Sequence, residues 1–439
     1  MNVFLLQSYL GRQEKPIYPV GLAYLGACLA DHNVEAFDPN VSSDPYGELA
    51  QRLKKFQPDV VGISLRNVDT TQYRDPFVYL STLEPTLKII REYAPSAVRI
   101  IGGSGFSIYA QAIMERFKEL DLGVMLEAEE TFPALLKDLD HPEIVPGIFY
   151  QKNGQVELSS PPKLPDFDTI PSPRWDIVDI APYRGQLDTI GIEAKRGCGL
   201  KCAYCTYFFL NGSHYRLRSP EKIVSEISEL IDRFAIDHFI FLDSIFNIPE
   251  QHAREVCEEL IRQKVNVPWT GWYNERKFDD DFFKLAKAAG CKYFSFSPDA
   301  YSDLSLKLLK KNLNVEDIKR VYQIALGESE CHFGYNFFVN PPGQTYRDFM
   351  RLMWFWLQVR MHLRGRLYGF GLGNIRVEPD TEILRIASEE GVLDGDANLL
   401  VETSEELRKL FYTNPKTPLI NWAFKIFGLA ARIKHGMKS

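Results

Sequence analysis

The sequence predicts an α/β protein with three parts: an N-terminal doubly wound parallel sheet (Rossmann-like), a partial (β/α)6 barrel and a helical C-terminal region. Three observations carry this reading. Strand and helix patterns alternate over the first ~150 residues, a Pro- and Asp-rich stretch interrupts them, and the alternation then resumes as six strand–helix units. A chain of 439 residues is also too long for one ordinary core.

In the first unit, NVFLLQ is a short apolar strand and PVGLAYLGACLADH a helix with small residues on one face. VEAFD and YGELAQRLKKFQ form the next strand and helix. DVVGIS is a β-branched buried strand, and the chain to REYAP holds another helix. VRIIGGSG is a strand running into glycines, and LGVMLEAEETFPALLKDL closes the unit. Such alternation implies a parallel sheet covered on both faces, with ligands beyond the carboxyl ends of its strands. Those tips are Ser64 to Asp69, Gly102 to Gly105 and Glu127 to Glu130.

The expected boundaries are 1–150 for this domain, 151–185 for a linker, 186–385 for the barrel and 386–439 for the C-terminal region. SSPPKLPDFDTIPSPRWD cannot hold a regular ladder and reads as the linker. The barrel strands are DTIGIEAKRG, HFIFLDS, VPWTGWYN, KYFSFSPDA, HFGYNFFVN and LYGFGLGNIRV. Six units are too few for a closed eight-fold barrel, so an open one is expected, with its site at the carboxyl ends of the strands. Ser219 and Pro220 read as the cap and first turn of a helix.

The composition is 45% hydrophobic and 25% charged, and the net charge is −7, which argues against non-specific nucleic-acid binding. No apolar run is long enough to span a bilayer. MNVFLLQSYLGRQ has no basic n-region, so it reads as a buried strand rather than a signal peptide, and a cytoplasmic location is expected. The tail NWAFKIFGLAARIKHGMKS alternates apolar and basic residues at helical spacing. It is either a docked helix with snorkelling lysines or a membrane-surface contact suited to a lipid-like substrate.

Seven cysteines are present, and three fall within eight residues: Cys198, Cys202 and Cys205. An odd, clustered set is a poor disulfide framework and a reasonable metal site. Structural zinc wants four ligands, and no second Cys or His pair follows at finger spacing. Three thiolates in one loop suit a soft metal or an iron–sulfur cluster, and three ligands on a four-iron cluster leave one iron open, as metal catalysis requires. The other four, Cys28, Cys257, Cys291 and Cys331, read as small buried hydrophobes.

GCGLKCAYC resembles the signature of the radical S-adenosylmethionine (SAM) superfamily, with Gly197 before the first cysteine and Tyr204 before the last. The resemblance implies that the cysteines hold a 4Fe–4S cluster whose unique iron chelates SAM, and that reductive cleavage of SAM releases a 5′-deoxyadenosyl radical. It extends over residues ~186 to 385. FLDSIFN resembles the segment meeting the methionine part of SAM, which implies roles for Asp243 and Ser244; a strand-end turn cap is the alternative. Ser295, Ser297 and Asp299 correspond to the strand that meets the SAM ribose and carboxylate, with a solvated strand face as the alternative. IRVEPDTEI resembles the sixth-strand segment, with Asp380 where the family usually has glycine.

An alternating domain ahead of such a core resembles the cobalamin-binding group of this superfamily, the class B methyltransferases among them. The matching pieces are YPVGLAYLGACL, DVVGISLRN and IIGGSGFS, while Leu126-Glu127-Ala128-Glu129 lacks both glycines of the family's Gly-Glu-Gly-Glu element. Gly102, Gly103 and Gly105 would let the backbone approach the dimethylbenzimidazole tail, and Ser64 would hydrogen-bond it. Arg66, Asn67 and Asp69 are the candidates to face the corrin; for Arg66 a phosphate or carboxamide contact, or a plain salt bridge, is the alternative. No Asp-x-His-x-x-Gly motif is present, so cobalt is expected to lack a protein histidine.

The reading implied is a cobalamin-dependent radical SAM enzyme that methylates an unactivated carbon of a small-molecule or lipid-like substrate. An external donor such as flavodoxin or ferredoxin would supply electrons. A cyclase or ring-rearranging oxidase using the same cofactors is the second reading, and a non-catalytic corrinoid or iron–sulfur binding protein the third. Aromatics crowd the expected barrel mouth: Trp269, Trp272, Tyr273, Phe294, Phe296, Tyr335 and Phe337, as core or as pocket.

Overall fold

A computed structural model describes residues 1–424. The N-terminal sheet has seven strands: β1 Asn2–Gln7, β2 Asn33–Phe37, β3 Val60–Ser64, β4 Val98–Gly102, β5 Leu122–Val124, β6 Ile148–Lys152 and β7 Gln155–Leu158. Their order is β2-β1-β3-β4-β5-β6-β7. The first five are parallel; β6 joins antiparallel to β5 and pairs with β7 as a hairpin. Val3, Phe4, Leu5, Val60 and Val61 have no exposed surface, as expected of apolar strands covered on both faces. Around them lie α1 Val20–Cys28, α2 Pro45–Phe56, α3 Leu83–Tyr93, α4 Ser104–Ile108, α5 Ala110–Arg116 and α6 Thr131–Leu135.

The sheet thus runs to Leu158, beyond the expected boundary at 150. Its last hairpin turns at Asn153 and Gly154, both at positive φ (50° and 80°), the geometry that Asn-Gly favours in two-residue turns.

Residues 159–185 are docked to both domains. Phe167 and Trp175 are buried. The Tyr18 hydroxyl donates to the Trp175 carbonyl (2.8 Å), and the Arg174 amide donates to Ala23 (2.9 Å). The small residues of α1 permit this approach: a Cβ on Gly26 would lie 2.1 Å from Ile177.

The second sheet is parallel, in the order β15-β14-β13-β12-β11-β8. Its strands are β8 Gly191–Ile192, β11 Phe239–Phe241, β12 Trp269–Tyr273, β13 Cys291–Asp299, β14 His332–Phe338 and β15 Leu367–Gly373; a small ladder, β9 Lys195–Arg196 with β10 Arg216–Leu217, brackets the cysteine loop. Six strands leave the barrel open. The helices are α7 Tyr207–Leu210, α8 Pro220–Phe234, α9 Glu250–Arg262, α10 Asp280–Ala288, α11 Asp303–Leu308, α12 Val315–Gly327 and α13 Tyr346–Leu363. Ser219 precedes α8 as expected, but its side chain makes no capping bond.

Of the mouth aromatics, Trp269, Tyr273, Phe294, Phe296, Tyr335 and Phe337 are buried. Rings such as Tyr273–Phe294 (5.3 Å) and Phe337–Phe355 (6.1 Å) fill the layer between strands and helices. Trp272 alone of the set is half-buried.

The C-terminal region holds α14 Glu382–Glu389, α15 Ser404–Lys409 and the antiparallel pair β16 Ile375–Arg376 with β17 Phe411–Tyr412. Most of the basic, apolar tail, residues 425–439, lies outside the described residues. Among the described residues no helix is long and apolar enough to cross a membrane.

Candidate active site between two facing cavities

The cysteine loop leaves β9 through Gly197, whose φ of +94° suits glycine and whose absent Cβ would sit 2.0 Å from the His214 carbonyl oxygen. The Cys198 amide donates to the Gly212 carbonyl (3.0 Å) and the Ala203 amide to that of Leu309 (2.9 Å), so the loop is fixed at both ends. Cys198, Cys202 and Cys205 are free thiols lining one cavity of about 370 Å3. Burial pushes Cys205 up to about 12 and also raises Cys202, so assembly of a metal centre must displace protons. Three unpaired sulfurs opening into a shared space this large fit a multi-iron cluster better than a single closed ion.

Tyr204, Asp243, Ser244, Trp272, Glu275, Ser297 and Lys311 line the same cavity. The Asp243 carboxylate is already engaged: it accepts from the Ala194 amide (2.9 Å) and the Lys195 amide (3.2 Å), and pairs with the Lys195 ammonium (2.5 Å). Ser244 beside it is half-buried. The Ser295 hydroxyl bonds Tyr368 across the barrel floor, whereas Ser297 is half-buried in the cavity wall. Asp299 accepts from the Tyr204 hydroxyl and from Lys311 (2.7 Å), tying the cysteine loop to the tip of β13. Burial opposes the Lys311 charge, but Asp299 and the Cys202 thiol more than offset it and raise the ammonium pKa.

Glu275, at the tip of β12, was not singled out by the sequence. It is 1% exposed, its Oε1 has no hydrogen-bond partner among the described residues, and burial raises it to about 8 against the opposing pull of Lys311. Its only advance signal was an acidic residue directly after a strand pattern.

Across α7 lies a second cavity of about 220 Å3 at the tips of the N-terminal strands. Ser64, Gly102 and Gly103 line it, with Ser104, Ser107 and Leu126. Gly103 has φ +96°, and its Cβ position would meet the Leu65 carbonyl oxygen at 2.6 Å. Gly105 is elsewhere, where a Cβ would lie within 3.0 Å of the Asn67 backbone. Arg66 and Asn67 are exposed at the tip of β3. Asp69, in contrast, is buried and ion-paired with Arg376 of the second domain (3.0 Å), which removes it from the corrin-facing set. No histidine is among the residues lining this cavity.

The wall between the cavities is α7: Tyr207 faces the cysteines and Leu210 the N-terminal tips. Tyr207 keeps 46% of its surface open, yet dense surroundings raise its phenol and the facing Arg66 opposes that rise, as in a gap within the protein. Two buried ionic knots fix the domains around this gap. Glu127 and Glu129 hold Arg196 (3.0 and 2.7 Å), and Glu127 also binds Arg216. Arg376 bridges Asp69 and Glu378, and Glu378 accepts from Tyr109 (2.5 Å). The acidic tip without glycines thus serves as an interdomain clamp.

A cysteine-lined mouth of a partial parallel barrel, faced by a cavity at the tips of a second parallel sheet, defines a two-cofactor α/β protein. A B12-binding domain profile matches residues 9–136 and a radical SAM superfamily profile matches residues 192–355. The chain thus carries a B12-binding domain followed by a radical SAM domain. It is 26% identical over 301 residues to an uncharacterised methyltransferase of Pyrococcus horikoshii, covering 67% of this chain and 63% of that one. It is 26% identical over 363 residues to the anaerobic magnesium-protoporphyrin IX monomethyl ester cyclase of Cereibacter sphaeroides, covering 77% and 56%. The chain therefore spans about six tenths of the length of these relatives. The fold superposes on the radical SAM methyltransferase TsrM of Kitasatospora setae, solved with tryptophan and aza-SAM, with a TM-score of 0.81 at 20% identity, over 98% of this chain and 89% of that one.

Proposed function

We propose that the chain is a cobalamin-dependent radical SAM C-methyltransferase acting on an unactivated carbon of a small-molecule or lipid-like substrate. The observation that carries this is the pair of cavities at the strand tips of the two sheets, with α7 lending Tyr207 to one and Leu210 to the other. Such proximity serves a reaction in which a carbon activated from one side is methylated from the other. Bound there, the cofactors supply a SAM-derived hydrogen-abstracting radical and a transferable methyl group.

Cys198, Cys202 and Cys205 would hold the cluster. Glu275, buried with a free carboxylate oxygen, takes the SAM ammonium; Asp243 instead stiffens the loop through Lys195. Ser244 and Ser297 offer hydroxyls to the ribose and carboxylate, and Lys311 offsets negative charge beside Cys202. In the N-terminal domain Ser64, Gly102 and Gly103 receive the cobalamin tail, while Arg66 and Asn67 face the corrin. A guanidinium cannot ligate a metal, so Arg66 would contact the corrin without binding cobalt. Electrons come from a flavodoxin- or ferredoxin-type donor.

The test is turnover of the reconstituted protein with SAM bearing a deuterated methyl group. Labelled product with both S-adenosylhomocysteine and 5′-deoxyadenosine is expected. Unlabelled product with 5′-deoxyadenosine alone would exclude methyl transfer and favour the cyclase reading that the second relative supports.

A further inference from the structure

Helix α13 is apolar on two sides. Leu352, Phe355, Val359 and Leu363 are buried against the barrel. Tyr346, Met350, Trp354, Leu357 and Met361 are exposed, with Met350 65% and Trp354 59% open. At helical spacing these five fall within an arc of about 80°. The stripe is broadened by exposed Leu304 and Leu308, which abut the loop at Gly343, and by Leu419 and Trp422, since the Leu419 amide lies 3.4 Å from the Tyr346 hydroxyl. Scattered exposed apolar residues need no explanation; a contiguous patch with two exposed tryptophans does.

Arginines border it in a chain of net charge −7, while the groove beside Met350 and Trp354 also holds Asp303, Glu316 and Asp348 along with Lys319. On the helical wheel Arg347 and Arg351 border one side of the stripe and Arg360 the other. Residues 413–439, which begin beside the patch, contain Lys416, Lys425, Arg432, Lys434 and Lys438 and no Asp or Glu. A second copy of the chain packed antiparallel on α13 would set arginines against arginines, which like-charge repulsion disfavours. An apolar stripe between arginines, with Trp354 at its edge beside Arg347, matches the interfacial region of an anionic bilayer.

We propose that the α13 face docks the protein on an anionic membrane surface, with Met350 and Trp354 inserted among the acyl chains and Arg347 and Arg360 at the headgroups. This stands apart from the reaction proposed above, because none of these side chains lines either cavity.

The experiment is sedimentation of the full-length reconstituted protein with vesicles of phosphatidylcholine alone or mixed with phosphatidylglycerol. The parent is expected to partition about 10-fold more strongly onto the anionic vesicles, and less so in high salt. Met350→Glu with Trp354→Glu, and separately Arg347→Glu with Arg360→Glu, should each reduce binding to the phosphatidylcholine level. Both variants should keep the parent's melting temperature and its rate of SAM cleavage in detergent-free buffer. No anionic preference in the parent, or either folded variant binding like the parent, would overturn the proposal. A dimer in solution that the Met350→Glu and Trp354→Glu changes dissociate would also overturn it.

Discussion

Glu275 and Asp243 are both acids at strand tips of the same barrel, and their surroundings give them opposite characters. Asp243 has Lys195 and two amides for company; Glu275 has desolvation and an unpartnered oxygen. The sequence shows two acids after two strands, but not that Lys195 turns inward beneath the first. Cys198, Cys202 and Cys205 were legible because their geometry is local, three donors in one loop. Lys311 was not, because it reaches the site from the segment after α11. A pH dependence follows from Glu275. Its carboxyl is raised from 4.5 in the free state to about 8 in the fold, so its contribution to stability is present below the lower value and lost as pH rises through the upper one. Thermal melts of the chain without SAM should show stability falling between about pH 5 and about 8 from this residue. Glu275→Gln should flatten that part of the profile and weaken SAM binding in equilibrium dialysis while iron content stays unchanged. An unaltered pH profile in the variant would remove Glu275 from this role.

Elements were read more securely than their ends. The buried strands of the N-terminal sheet announced themselves by short apolar runs such as NVFLLQ and DVVGIS, while Thr345 and Asp348 complete a capping box at the start of α13. The β6–β7 hairpin was absorbed into the expected linker, although Asn153-Gly154 is a strong turn signal, because the exposed, polar β7 lacks the apolar run that marks the other strands. The short ladder β9–β10 was equally silent at two residues per strand. Its function is to present the cysteine loop, and Gly197 is where it is most sensitive. Gly197→Ala should cost about 1–3 kcal/mol through strain at positive φ and the contact with His214. Iron bound after reconstitution should fall with it, measured as iron per chain alongside the melting temperature. Full iron loading at the parent's melting temperature would show that the loop tolerates the Cβ.

At the scale of the molecule, alternation and the proline-rich break foretold two domains and a link between them. The orientation of those domains was not legible, since it rests on pairs such as Arg376–Asp69 and Tyr109–Glu378, about 300 residues apart in sequence. Asp69 was expected at a ligand because strand tips usually serve ligands; here one tip residue serves the neighbouring domain instead. Arg376→Met would leave Asp69 buried and Glu378 half-buried without their cation, a loss of about 3–5 kcal/mol. The interface should loosen, seen as faster proteolysis between residues 159 and 176. If alignment of the cavities matters for transfer, 5′-deoxyadenosine should accumulate in excess of methylated product. A variant with parental protease resistance and tight coupling would show the knot to be dispensable.

The last barrel strand bears on which molecules this protein can accept. By register, Gly369, Gly371 and Gly373 share the face of Gly334, Asn336 and Phe338, which is also that of Ser295. Nothing lies within 4 Å of a Cβ placed on Gly369 or Gly373. The fold therefore has no steric need of glycine at either place, and larger residues there would leave the backbone undisturbed while shortening the room inside. On the proposed function, side chains added at those two bare positions would narrow the barrel interior and limit how bulky a guest it admits.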